Sequence, residues 1–141
     1  MSQTIDEEMR ATFLAVADLL IPEALGMPSA SQVNVAGPVL DRILALRPDL
    51  QEPFFRGLRM AAGKDPKFAA QAVNRDDPKA LAAIGLVAAS AYYMDPRVRG
   101  LIGYPGQEKR IYDPDATPEY IANGMLQKVI DRGPIYRLTP R

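Results

Sequence analysis

The sequence contains no cysteine and no histidine. Without cysteine the chain cannot form a disulfide, use a thiolate nucleophile or hold an iron–sulfur cluster. Without histidine it lacks the imidazole ligands that most zinc and haem sites require, and no side chain titrates near neutral pH unless its pKa is displaced. These absences exclude most familiar catalytic and metal-binding sites, and we expect no metal or cofactor in this chain.

The chain also lacks an excess of charge, because seventeen basic residues balance seventeen acidic ones. Nucleic-acid binding needs a surplus of positive charge, so a nucleic-acid partner is not expected. The longest apolar run, Ala80 to Met94, is too short to cross a bilayer. The first eight residues are acidic and polar, unlike the basic start of a signal peptide. We therefore expect a cytoplasmic protein with no direct membrane insertion, periplasmic only if a partner's signal carries it.

Proline is abundant, with thirteen residues in the chain. Four of the prolines follow an aspartate, in the pairs Asp65-Pro66, Asp77-Pro78, Asp95-Pro96 and Asp113-Pro114. Aspartate accepts hydrogen bonds from the free amides of a first helical turn, and proline at the next position needs no acceptor, so each pair indicates a helix start. Thr117-Pro118 repeats the pattern with threonine as the cap. The alternation typical of strands is absent, which predicts one all-α domain over 1–141, with about five to seven short helices.

Apolar spacing places these helices along the chain. We expect them over 5–20, 35–46, 48–62, 66–73, 78–94 and 118–132, with a short turn of helix after Asp95-Pro96. Thr4 and Glu7 have the spacing of a capping box for the first helix. The helix over 78–94 is apolar on nearly all sides, which predicts a central position in the core. The segments 22–34 and 103–115 are expected to be irregular. The last helix is expected to turn a set of apolar residues inward: Ile121, Met125, Leu126, Val129 and Ile130.

Carboxylates offer the only acid–base chemistry suggested by this composition. Two adjacent pairs, Glu7-Glu8 and Asp76-Asp77, lie at predicted helix starts, where acidic residues complement the helix dipole. Asp113, Asp115 and Glu119 do not have the alternating positions of a calcium loop. We therefore expect no catalytic residues and no metal ligands.

Tyrosine and arginine are concentrated in the second half of the chain, and both are enriched at protein–protein interfaces. For Tyr92 and Tyr120 the alternative is a core position with a hydrogen-bonded hydroxyl. The turn Gly103-Tyr104-Pro105-Gly106 lacks the lysine and hydroxyl residue of a phosphate loop; it is either a simple tight turn or a loop presented to a partner. The candidate interface residues are Tyr92, Tyr93, Arg97, Arg99, Gly103, Tyr104, Pro105, Gly106, Arg110, Tyr112, Tyr136 and Arg137.

Two stretches resemble the gluconate 2-dehydrogenase subunit 3 family, the small subunits of flavin-dependent dehydrogenases. One is V-A-D-L-L-I-P over 16–22, with M-P-S-A over 27–30 in the following loop. The other is A-Y-Y-M-D-P-R-V-R-G-L-I-G-Y-P-G-Q over 91–107. In order along the chain, they match the family's early D-x-(L/I)-I-P pattern and its later GYPG stretch.

The resemblance implies an all-helical subunit without a cofactor of its own. FAD and the substrate site would belong to a large subunit of the glucose–methanol–choline type, and a cytochrome subunit is a candidate electron acceptor. The small subunit would support the production, folding or export of the large one. Since the twin-arginine signal of many relatives is not seen, the resemblance favours the stabilising role. The alternatives are a free-standing small enzyme using carboxylates and a helical adaptor for an unrelated partner.

Overall fold

The computed structural model describes residues 5–109 and 113–137. The chain divides into two structural units, Met1–Gly106 and Gln107–Arg141, called here the N-terminal and C-terminal units. The described residues contain eight α-helices, one 3-10 helix and no β-strand. The all-α prediction is confirmed, and the assignment of the whole chain to a single domain stays a prediction.

Six α-helices form the N-terminal unit. They are α1 (Glu7–Leu20), α2 (Pro38–Leu46), α3 (Pro48–Ala61), α4 (Pro66–Asp76), α5 (Pro78–Met94) and α6 (Pro96–Leu101), with the 3-10 helix Ser31–Val33 between α1 and α2. Every helix from α2 to α6 begins with a proline, whose fixed φ suits a first turn and whose missing N–H would have no helical acceptor there. The C-terminal unit contains α7 (Glu119–Ala122) and α8 (Gln127–Arg132).

Three of the four Asp-Pro pairs begin helices as predicted. The carboxylates of Asp65, Asp77 and Asp95 each accept a hydrogen bond from at least one backbone amide in the first turn of the helix that follows. The fourth pair does not begin a helix, because Asp113 Oδ1 accepts from the Asp115 amide and forms a local turn. The predicted cap at Thr117 is also wrong, since Pro118 is the N-cap of α7 and makes no side-chain capping bond.

Several helix bounds also differ from the predictions. The first helix begins at Glu7, and Asp6 caps it by accepting from the Met9 amide at 2.7 Å; Thr4 lies outside the described residues. The helix expected over 35–46 begins at Pro38, and α4 continues past 73 to Asp76. The helix expected over 118–132 is two short helices, because the intervening turn has a left-handed Gly124 and an Asn123 side chain that accepts from Met125.

The core of the N-terminal unit forms around α5, which contacts α1, α2, α3, α4 and α6. This confirms the predicted central position of that helix. Its buried side includes Ile84, Val87 and Tyr92, whereas Leu86 and Tyr93 are exposed on another side. No helix in the described part of the chain is both long enough and apolar enough to cross a membrane.

An arginine of α3 joins the start of α5 to the body of the unit. Arg56 Nε donates to Asp77 Oδ2 at 2.5 Å, and its guanidinium also pairs with Glu52 one turn earlier on α3. Asp77 Oδ1 accepts from the Ala80 amide at 3.1 Å. The hydrogen bond from Arg56 holds the pKa of the Asp77 carboxyl below its ordinary value. The carboxylate therefore stabilises the contact between α3 and α5 only while it is ionised.

This arrangement predicts a specific dependence of stability on pH. Because the folded-state pKa of Asp77 is lowered, its ionisation stabilises the fold above the ordinary aspartate value of 3.8, and this stabilisation is lost as pH falls through the lowered folded-state pKa. Asp77→Asn keeps a capable N-cap but removes the charge. In thermal unfolding followed by circular dichroism, we expect the variant to have the lower Tm near neutral pH and the difference to close at acid pH.

Asp65→Asn is the matched control, because Asp65 caps α4 without a basic side chain within ion-pair distance in the described residues. Its Tm difference from the wild type should change little with pH. A difference between wild type and Asp77→Asn that persists unchanged into strong acid would contradict the role assigned to the ion pair.

Candidate functional site

Two backbone hydrogen bonds and a left-handed glycine end α6. Gly103 has φ of 66°, and its N–H donates to the Gly100 carbonyl at 3.1 Å. The Tyr104 N–H donates to the Arg99 carbonyl at 2.9 Å. These two bonds are those of a Schellman motif, in which a left-handed glycine ends the helix and turns the chain back along it. Gly103 and Tyr104 of the GYPG sequence therefore form the terminus of α6, and 104–106 have no regular secondary structure, as expected.

The Schellman motif brings the Arg99 and Tyr104 side chains together. The Arg99 guanidinium carbon lies 5.4 Å from the centre of the Tyr104 ring, within the range of a cation–π interaction. Gly106, with φ of 91°, lies beside the guanidinium, because a Cβ added there would come within 2.5 Å of Arg99 Nη2. We call these three residues the Arg99–Tyr104 cluster.

Exposed apolar side chains occur on both sides of α6 in the sequence. Tyr93 and Met94 end α5, and Leu101 and Ile102 end α6. Each is substantially exposed, and Tyr104 is 54% exposed although it contacts Arg99. Clusters of exposed aromatic and aliphatic residues beside arginine are typical of protein-binding surfaces. The stretch from Tyr93 to Gly106 is therefore the candidate interaction surface of the N-terminal unit.

The candidate interface residues divide into three groups. Tyr93, Arg97 and the turn from Gly103 to Pro105 are exposed, and Arg99 and Gly106 are half-buried in the Arg99–Tyr104 cluster. Tyr92 is buried instead, and its hydroxyl donates to the Pro28 carbonyl at 2.6 Å. Burial also raises the pKa of this hydroxyl. Tyr92 thus belongs to the core and ties α5 to the loop after α1.

The remaining candidates lie in the C-terminal unit. Tyr136 and Arg137 are exposed, whereas Arg110 and Tyr112 fall outside the described residues. The sequence predicts that the apolar residues of the last helix, over 118–132, face inward. This prediction is wrong for four of them, which are exposed: Ile121, Met125, Val129 and Ile130. One long helix would carry these apolar residues in a continuous stripe along one side. Two separate helices of four and six residues do not form such a stripe and have little surface with which to bury it.

The carboxylate pairs have structural roles in the described residues. Glu7 and Glu8 occupy the first turn of α1. Arg75 donates to both Asp76 oxygens, and this lowers the pKa of the Asp76 carboxyl. The pKa of Asp77 is also lowered, as described above. A general acid at neutral pH needs the opposite shift. Within 5–109 and 113–137, no three acidic residues are grouped closely enough to hold a metal ion.

Comparison of the chain with family models, with curated proteins and with solved structures gave no match. The members of the Arg99–Tyr104 cluster are each candidate interface residues by sequence, but the contact between Arg99 and Tyr104 was not predicted. A signal for it was present: an arginine five residues before an aromatic residue, with a glycine directly before the aromatic residue. That spacing places the two side chains at the positions that meet in a Schellman motif.

Proposed function

We propose that this chain is a non-catalytic small subunit that binds and stabilises a flavin-dependent dehydrogenase large subunit of the glucose–methanol–choline type. The large subunit would hold FAD and oxidise an alcohol or a sugar. The observation that carries the proposal is the set of exposed apolar and aromatic side chains between Tyr93 and Tyr104, some of them at the helix terminus fixed by the Schellman bonds. The same stretch carries the family resemblance, which supplies the class of partner.

The physical basis of the binding role is the cost of leaving this surface in water. Burying apolar surface gains roughly 25 cal/mol per Å², and large side chains at the centre of an interface contribute most of the affinity. Because the Schellman motif already fixes the backbone of 99–104, a partner would not have to order this segment on binding. An ordered apolar surface of this kind suits a lasting complex between two subunits.

The alternative of a free-standing enzyme using carboxylates receives no support from the carboxyl groups with resolved shifts. The pKa values of Asp49, Asp76 and Asp77 are all lowered by arginine hydrogen bonds. Each of these groups is therefore even less protonated at neutral pH than an ordinary carboxyl group, so it has less of the acid form that a general acid needs. No observation favours the third hypothesis, an adaptor for an unrelated partner, over the dehydrogenase subunit.

Co-expression tests the proposal directly. The chain, carrying an affinity tag, is produced together with the flavoprotein dehydrogenase of its own organism, and the flavoprotein is also produced alone. We expect the tagged chain to retain a yellow protein on the affinity column and to raise the soluble yield of that protein. Recovery of the tagged chain without flavin absorbance, and with no change in flavoprotein yield, would contradict the proposal.

A substitution then places the interface. We expect Tyr104→Ala to weaken the complex by about 2 kcal/mol, or roughly 30-fold in Kd, as for a buried aromatic anchor. The helical content of the free chain should not change, because the Tyr104 side chain is exposed and outside the core. Phe68→Ala is the control, since Phe68 is an exposed aromatic residue on α4. Equal affinities for both variants, measured by titration calorimetry, would place the interface elsewhere.

A further inference from the structure

The central helix α5 has one exposed side, and that side contains no charged residue. From Ala80 to Met94 the sequence has no acidic or basic side chain. The side of a helix that faces water normally carries charged and polar residues. On α5 this side instead presents Ala82, Leu86 and Tyr93, and the last two are 44% and 56% exposed. An uncharged, apolar helix face of this kind is typical of a surface that another protein covers.

The exposed side of α5 is a continuous stripe rather than a set of scattered residues. We give the name α5 stripe to Ala82, Leu86, Ala89 and Tyr93. Their spacing of four, three and four residues keeps them on one side of a helix. At the edge of the stripe lies the exposed Leu20 of α1, whose Cδ1 is 3.8 Å from the position of a Cβ added at Gly85. The stripe is therefore part of a wider apolar surface.

Small and large side chains alternate along the α5 stripe. In an antiparallel pair of α5 helices with a two-fold axis between 86 and 89, each Leu86 meets Ala89 of the second copy. Each Tyr93 likewise meets Ala82. Every layer then combines one large and one small side chain, as closely packed helix pairs require. A parallel pair would place tyrosine against tyrosine and alanine against alanine, and would bring the two Lys79 side chains together. The pattern therefore fits an antiparallel copy of the same helix.

We propose that the free chain forms a two-fold symmetric homodimer in which the α5 stripes of two copies pack antiparallel. A two-fold interface places the same surface on both sides, so a charged surface would repel itself, whereas the uncharged α5 stripe does not. The inference concerns the chain alone and does not rest on the proposed function. Tyr93 also begins the candidate interaction surface, so a contact with the flavoprotein would adjoin the dimer contact.

Sedimentation equilibrium of the free chain at about 5 and 500 µM tests the dimer, because self-association depends on concentration. We expect the average mass to rise from 15.4 kDa toward twice that value. Leu86→Glu introduces a carboxylate twice into a two-fold contact, so we expect its Kd to be at least about 100-fold higher. Its helical content should not change, because Leu86 is outside the buried core.

Phe68→Glu is the matched control for Leu86→Glu, because Phe68 is an exposed apolar residue on a different helix, α4. We expect it to dimerise with the Kd of the wild type. A wild-type chain that remains monomeric at the higher concentration would overturn the proposal and leave the α5 stripe to a different partner. Equal Kd values for the two variants would also overturn it.

The absence of cysteine from the chain allows a test of the antiparallel arrangement. Ala82→Cys and Tyr93→Cys are prepared separately, and each is oxidised alone and in a mixture of the two. In the antiparallel pair these positions meet, whereas each lies about 16 Å along the helix axis from its own counterpart, too far for a disulfide. We expect mass spectrometry to find linked dimers with one chain of each variant. Equal cross-linking in all three samples, or none in the mixture, would overturn the proposal.

Discussion

Phe54→Ala is expected to destabilise the N-terminal unit by about 3–5 kcal/mol, because it removes a ring from the centre of a closely packed core. Phe54 is 0% exposed. The centre of its ring lies 5.3 Å from the centre of the Phe13 ring on α1 and 5.6 Å from that of the Phe55 ring, and both pairs are edge to face. The cavity would lie where α1 and α3 meet. Since domains of this size are stable by roughly 5–15 kcal/mol, the loss is a large fraction of the total.

Urea unfolding followed by circular dichroism measures this change. Phe54→Leu is the control, because it keeps most of the apolar volume and is expected to cost less than Phe54→Ala. A loss below about 1 kcal/mol for Phe54→Ala would show that the site is not the closely packed centre described here.

Gly57→Val is the second substitution with a large expected effect, because α3 and α5 approach each other closely at Gly57. A Cβ at this position would lie 2.8 Å from Ile84 Cδ1, 3.2 Å from Ala80 Cβ and 3.3 Å from the Ala80 carbonyl oxygen. Ala80 and Ile84 are both 0% exposed, so neither has free space into which to move. Overpacking of this kind costs typically about 1–3 kcal/mol, and we expect the upper end of that range or more because backbone atoms are involved.

Gly100→Val provides the comparison for Gly57→Val. Gly100 is also a helical glycine, on α6, and a Cβ there would meet no atom within 4 Å. Valine has a better helix propensity than glycine, so this variant should be neutral or slightly more stable. The two variants are compared by their free energies of unfolding in urea. Similar values for both would contradict the close contact between α3 and α5.

The start positions of helices were largely predictable from the sequence, because capping is a local interaction. Asp65, Asp77 and Asp95 each satisfy amides only two or three residues away, and proline follows each one directly. The apolar run after Asp77 similarly predicted the central helix. Such short-range rules fail where another local bond competes, as at Asp113, whose side chain forms a turn with Asp115 instead.

Side-chain exposure was less predictable, because it depends on which helices pack together. Leu20 and Leu46 follow the apolar spacing of their helices, yet they are 40% and 66% exposed. Both lie in the last turn of a helix. The contact between Arg99 and Tyr104 was missed for a related reason, since it depends on the way in which the chain turns after α6.

The distribution of apolar groups connects the fold to the proposed function. The core buries Phe13, Phe54 and Phe55. In contrast, the ends of α5 and α6 and the turn after α6 leave Tyr93, Leu101 and Tyr104 exposed. Apolar side chains that remain exposed to water are unfavourable in free energy, and binding to a partner would bury them. These side chains are outside the buried core, so we expect substitutions in the interface to affect binding and substitutions in the core to affect stability.

Sedimentation velocity, recorded at the visible absorbance of flavin and in the ultraviolet, tests the central claim most directly. The purified chain is mixed with the purified flavoprotein dehydrogenase of its own organism. We predict that the chain, with a mass of 15.4 kDa, moves in the same boundary as the flavin signal and faster than it does alone. Two separate boundaries, each unchanged from that of its isolated component at concentrations above micromolar, would contradict the assignment of this chain as a small subunit of a flavin-dependent dehydrogenase.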